Sequence, residues 1–158
     1  MNRILYNIRK GSLDDLPYLQ ALFVNTVHSV CKHDYTPGQI KAWTSGIENT
    51  ERWQRIVQDQ YLLVAEIENQ LVGFCSLQEG AHVDMLFVHK DFQGQGIASA
   101  LYRAIEEKAM ALGAGFITTY ASKTARSFFE RTGFTVLEEQ TVVRKGVSLN
   151  NFKMKKKV

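Results

Sequence analysis

The chain has 158 residues, of which 45% are hydrophobic and 22% charged, a composition that suits one globular domain with a sizeable core. A formal net charge of +3 is too small to argue for nucleic acid as a partner. The opening MNRILYNIRKGSLDD has no apolar signal-peptide core, and no apolar run approaches the roughly 18 residues of a membrane helix, so the expectation is a cytoplasmic protein with no membrane partner.

In chain order, ILYNIRK reads as a first strand. SLDDLPYLQALFVNTVHSV reads as a helix, with Ser12 as N-cap, Asp14 and Asp15 in an acidic first turn, and Leu16, Leu19, Phe23 and Val27 at helical spacing. TPGQIKAW and TERWQRIVQ predict two short helices, with Thr36 and Thr50 as N-caps and Pro37 at the first helical position. YLLVAEIE, NQ and LVGFCSLQ predict a hairpin, followed by a strand at AHVDMLFVHK. Ile97, Leu101, Ile105 and Leu112 mark the apolar stripe of a helix that ends at Gly113. GFITTYAS is another strand, SKTARSFFERTG a short helix closed by Gly133, and FTVLEEQTVVRKGVSLNNFKMKK two last strands. The closing KMKKKV reads as a solvated lysine edge on the last strand rather than a nucleic-acid tail. Cys31 and Cys75 lie far apart with no CxxC pattern and read as buried thiols.

An all-parallel alternating fold has no place for an antiparallel meander in its middle. The expectation is therefore a single α/β domain over residues 1–158, with one mixed, twisted sheet of about seven strands and helices on both faces.

The glycines of DFQGQGIASALY stand between a strand and a helix N-terminus. Such a turn exposes backbone N–H groups, lets an anion approach closely and adds the positive end of the helix dipole. A nucleotide P-loop is excluded, because no Lys-Ser or Lys-Thr follows the glycines. A dinucleotide fingerprint is weak: Ser99 replaces the third glycine, and GFITTYAS ends without the acid that holds a ribose. The residues Gln93-Gly94-Gln95-Gly96-Ile97-Ala98 do match Q/R-x-x-G-x-G/A. With MLFVHKDF before them and ASKTARSFFERTGF after them, the chain resembles the GCN5-related N-acetyltransferase (GNAT) family. HDYTPGQIKAW, VDMLFV and the closing G-x-x-x-x-N-F-x-M extend the resemblance to the bacterial YafP-type acetyltransferases over nearly the whole chain.

The resemblance implies the GNAT fold, acetyl-CoA as donor and a primary amine of a small molecule or peptide as acceptor. Attack would be direct, through a tetrahedral intermediate. Backbone N–H groups of Gln93, Gly94, Gln95, Gly96, Ile97 and Ala98 would hold the pyrophosphate, with a hydroxyl from Ser99. Main-chain groups of Phe87 and Val88 would bind pantetheine and polarise the thioester carbonyl, with Leu86 in the same cofactor-binding set. Ser122 stands where the family has a pantetheine-contacting asparagine, and Phe128 and Phe129 belong to the same cofactor-binding set.

Asp84, in the otherwise apolar HVDMLFV, is the first choice for the base that deprotonates the amine, with His82 two residues earlier on the same strand face. The family's thiolate-protonating tyrosine is Phe129 in this chain, so either the thiolate leaves without a donor or another group substitutes, for which Tyr120 is the nearest candidate in sequence. That departure keeps a second reading alive, an acyl-CoA-binding module with weak or lost catalysis. His33, Tyr35 and Trp43 fall where the family roofs its acceptor cleft. No metal is expected: His28, Cys31 and His33 do not share a helical face, and no fourth ligand is evident. C-terminal strands take part in dimers in this family, which makes a homodimer compatible with the resemblance.

Overall fold

Turn chemistry and strand alternation set the sheet. The computed structural model describes residues 5–158. Strands β1 (Asn7–Lys10), β2 (Tyr61–Ile67), β3 (Gln70–Gln78), β4 (His82–Val88), β5 (Phe116–Ser122), β6 (Thr135–Arg144) and β7 (Val147–Lys157) form one seven-stranded sheet in the order β1-β2-β3-β4-β5-β7-β6. β4 and β5 run parallel, and every other neighbouring pair is antiparallel. This is the mixed α/β sheet that the element order predicts. Glu68 and Asn69 both adopt positive φ, 49° and 67°, the geometry of a tight hairpin turn that matches strand twist. The β2–β3 turn is therefore centred one residue earlier than the NQ reading placed it.

Helices cover both faces. α1 (Leu16–Val30), α2 (Pro37–Thr44) and α3 (Thr50–Asp59) pack on one face, where Leu19, Phe23, Val27, Trp53 and Ile56 meet Val64, Phe74 and Met85. α4 (Ile97–Ala111) and α5 (Arg126–Thr132) cover the other, where Ile97, Leu101, Ile105 and Phe129 meet Cys75, Val83, Ile117 and Met154. Gly73 lets α4 approach β3, since a Cβ there would lie 3.2 Å from Leu101 Cδ1 and 3.3 Å from Ile97 Cγ2. Both cysteines are buried free thiols.

Several boundaries differ from the sequence reading. The first strand is shorter than ILYNIRK, and Ile4 lies outside the described residues. Ser12 precedes a 3-10 turn (Leu13–Asp15) rather than α1 itself, and its N–H donates to Asp15 Oδ2 at 2.8 Å. Asp15 is held there by a bidentate Arg9, at 2.8 and 2.9 Å, which lowers its pKa against the opposing effect of burial. Thr36 caps α2 in a reciprocal box with Gln39. Asn49, not Thr50, caps α3, accepting from Arg52 N–H at 3.1 Å. Leu112 is 59% exposed, and Ala109 takes its place in the buried stripe. The lysine run is not on an edge: β7 lies between β5 and β6. There Lys156 pairs with Glu106 at 2.8 Å, and Lys155 stacks over the Phe116 ring at 3.8 Å.

The β4–β5 pairing positions the site. It consists of His82↔Thr118 and Val83↔Thr119 and goes no further. On the opposite edge of β4, Leu77 faces Val83 and Ser76 faces Met85, which leaves Asp84 as the extra residue of a bulge. Beyond this bulge β4 departs from β5, and the sheet opens.

Candidate active site

The opening carries main-chain groups with free bonding capacity. His89 N–H donates to Val72 O at 2.8 Å, on the β3 side. Strand alternation then turns Phe87 toward β3 as well, and Leu86 and Val88 toward the opening. The Val88 carbonyl confirms the direction, because it accepts from Thr26 Oγ1 at 3.4 Å and from the Gln93 side-chain amide. The N–H groups facing the gap are thus those of Leu86 and Val88. Phe87 gives its main chain to β3 and its ring to the α1 face, 5.2 Å from Phe23.

A cavity of about 310 Å³ runs from this opening to the glycine turn. Its walls include Leu86, Val88, Gln93, Gly94, Gly96, Ile97, Ala98, Ser99, Ser122 and Phe128. Gly94 and Gly96 hold φ of 70° and 83°, a region costly for side-chain-bearing residues. No atom lies within 4 Å of a Cβ built on either glycine. The space at the α4 N-terminus is therefore open for a phosphate, which the helix dipole and free N–H groups favour. Gln93 also lines the cavity, and its side-chain amide donates to the Val88 carbonyl at the end of β4. Gln95 does not line the cavity. Ser122 Oγ accepts from Ala125 N–H at 3.0 Å and keeps its own proton to donate.

A second cavity, of about 260 Å³, lies between the opening and the helices α1–α3. It shares Leu86, Phe87, Ser122 and Ala125 with the first, so the two meet in the gap between β4 and β5. Its floor is aromatic, from Phe23, Tyr35, Trp43, Trp53 and Phe87. Tyr35 also acts as a strut. Its hydroxyl donates to Asn150 O at 2.8 Å and accepts from Lys123 N–H at 2.9 Å. His33 is exposed and lines neither cavity.

Asp84 and Tyr120 both line the second cavity. Asp84 is only 12% exposed and accepts from Arg52 Nη2 at 3.2 and 3.4 Å and from Gln60 Nε2 at 2.9 Å. His82 stands behind Tyr120, ring centroids 4.7 Å apart, and its Nδ1 is 2.8 Å from Thr118 Oγ1. Burial lowers the His82 pKa below 6.5, against the attraction of the Asp84 charge. Phe129 is 3% exposed and packs edge-on with Tyr102, Phe128 and Phe134, at 6.4, 5.3 and 5.1 Å. Among the described residues, no group of three or more His, Cys, Asp or Glu is placed to hold a metal, and no helix is long and apolar enough to cross a membrane.

Sequence reasoning missed Arg52, Gln60 and Arg144. Arg52 belongs to an amphipathic helix whose exposed face carries charge for solubility alone in most proteins. Arg144 ends a strand that reads as surface hairpin. Only the tertiary fold brings Arg52 and Arg144 to the cavity wall and Gln60 to Asp84.

The comparisons with known proteins agree with this geometry. A family model described as an acetyltransferase (GNAT) domain matches residues 31–157. The chain is 36% identical over 157 residues to YafP of Escherichia coli K12, named an uncharacterized N-acetyltransferase, covering 99% of this chain and 98% of that one. A crystal structure of a GCN5-related N-acetyltransferase from Rhodopseudomonas palustris superposes with a TM-score of 0.94 at 31% identity, covering 100% of this chain and 99% of that one. The PaiA N-acetyltransferase of Thermoplasma acidophilum, solved in complex with coenzyme A, superposes with a TM-score of 0.79 at 20% identity, covering 98% and 99%. At that identity the likeness speaks for the fold.

Proposed function

The chain belongs to the GNAT acetyltransferase family, and from that premise we propose that it transfers the acetyl group of acetyl-CoA to a primary amine of a small molecule or peptide. The observation that carries this reading is the meeting of the two cavities at the β4–β5 gap. An anion cradle sits at the far end of one, and an aromatic chamber forms the other. A thioester reaching from the glycine turn would bring its carbonyl to the Leu86 and Val88 N–H groups. There an N–H can stabilise the oxyanion of a tetrahedral intermediate, an effect worth about 3 kcal/mol.

In this mechanism the amine enters from the aromatic chamber, gives a proton to Asp84 and attacks the thioester carbonyl. Attack forms the C–N bond of a tetrahedral intermediate while the carbonyl oxygen takes the charge. Collapse of the intermediate re-forms the carbonyl and breaks the C–S bond, and the thiolate takes a proton from Tyr120. Phe129, buried in an aromatic cluster, cannot supply that proton. The same observation favours a second reading, an acyl-CoA-binding module with weak catalysis. Thiol release from acetyl-CoA, measured over a panel of primary amines, separates the two. Turnover that depends on an amine supports transfer. Tight CoA binding with no turnover on any amine supports the binding module, and no binding of CoA species sinks both.

A further inference from the structure

The chamber wall carries a charge pattern that the transfer reading leaves unused. The β6–β7 hairpin folds back across α2 and the turns that flank it, and is fastened there at several points. Lys145 Nζ pairs with Glu48 Oε2 at 3.1 Å, Gln39 Nε2 donates to Ser148 O at 3.0 Å, and Tyr35 Oη donates to Asn150 O. These ties set Arg144 at the acceptor chamber. Among the described residues Arg144 forms no salt bridge. Arg52 lines the same chamber, and its partner Asp84, the one carboxylate among the described lining residues, already takes donors from Arg52 and Gln60.

We propose that the acceptor is a primary amine that also carries an anionic group on an apolar, aromatic-sized body, with the anion held by Arg144. This assignment rests on the acetyl-transfer reading and narrows its acceptor. The aromatic floor takes the body, Arg144 takes the anion by charge-assisted hydrogen bonds, and the amine end is left facing the β4–β5 gap. Polyamines and lysine-rich peptides fit poorly. Their further ammonium groups would meet two guanidinium groups, and no carboxylate is free to hold them.

The test uses the full chain, acetyl-CoA and two matched pairs of amines that differ by a carboxylate: L-phenylalanine with phenethylamine, and L-tryptophan with tryptamine. Spermidine is the polycation control. Thiol release gives kcat/KM for each. The carboxylate-bearing member of a pair is expected to lead by roughly tenfold, the scale of one charge-assisted contact, with spermidine below both. Arg144→Gln should reduce the ratio within each pair to about one third or less, and Arg144→Glu should invert it. A parent ratio at or below one, a ratio untouched by Arg144→Glu, or a preference for spermidine overturns the acceptor class and leaves acetyl transfer standing. Thiol release with none of these five amines but with other primary amines of a wider panel also overturns the acceptor class, and release with no primary amine at all overturns both readings.

Discussion

At the scale of single residues, Asp84 and His82 illustrate how context separates neighbouring titratable groups. Asp84 sits at the bulge, on the chamber wall, with Arg52 and Gln60 on its oxygens. Asparagine preserves its size and removes the proton-accepting charge. If Asp84 receives the amine's proton, Asp84→Asn lowers kcat/KM by about 10²- to 10⁴-fold, the range typical of a positioned general base. A loss below about tenfold would assign Asp84 to holding Arg52 instead. His82 makes a different prediction, on stability. Its folded pKa lies below the ordinary 6.5, chiefly through burial. As pH falls through about 6.5 the unfolded chain takes the proton first, so it binds more protons than the native state and stability drops. Above that pH both states are neutral and His82 contributes no pH dependence. Denaturant titrations at about pH 7.5 and 5.5 should therefore show a smaller loss of stability in His82→Gln than in the parent. Parallel losses would mean that another group governs this window. Both residues were legible as candidates because they interrupt an apolar strand. Their partners were not, because Arg52, Gln60 and Thr118 lie 24 to 36 positions away in the chain.

At the scale of elements, the glycine turn was the most legible feature, since its chemistry is local: a strand, two left-handed glycines and a helix start. The Thr36 cap was legible for the same reason, and the β2–β3 hairpin was legible to within one residue of its turn. The position of β7 was not, because nothing in KMKKKV says which strands flank it, and alternation reads alike at an edge and between neighbours. The direction of main-chain groups on β4 was equally hidden. It depends on a bulge that only the pairing with β3 reveals. The turn itself supports a sharp prediction. A Cβ at Gly96 meets no atom within 4 Å, so Gly96→Ala costs the fold only the strain of positive φ, about 1–2 kcal/mol. In the proposed cradle, that Cβ would stand in the space open to a phosphate at the α4 N-terminus. CoA affinity, measured by calorimetry, should fall by at least about tenfold, more than the strain alone exacts from a folded protein. Unchanged affinity would place the phosphates elsewhere.

For the whole molecule, the consequence of the β4–β5 gap is mechanical. The antiparallel strands β1 to β4 and the unit β5-β7-β6 join through the short His82–Val83 pairing. Packing on the two faces, around Phe74 and Met85 on one side and Ile97 and Phe129 on the other, does the rest. A ligand lying in the gap would bond to Leu86 and Val88 on one unit and to Ser122 on the other, and so would tie them together. Any ligand that binds the folded state alone stabilises it by about 2.7 kcal/mol at 100 times its Kd. For a chain of this size that corresponds to a rise in Tm of roughly 5–10 °C. CoA and acetyl-CoA should produce such a rise, and NAD and ATP at equal concentration should not. The bridging geometry adds a spatial requirement. Amide hydrogen exchange in β5 and β7 should slow along with exchange at the glycine turn, because the ligand couples the opening of one unit to that of the other. A thermal shift accompanied by protection at the turn alone would mean that the ligand holds only the cradle and leaves the sheet's two units to open independently.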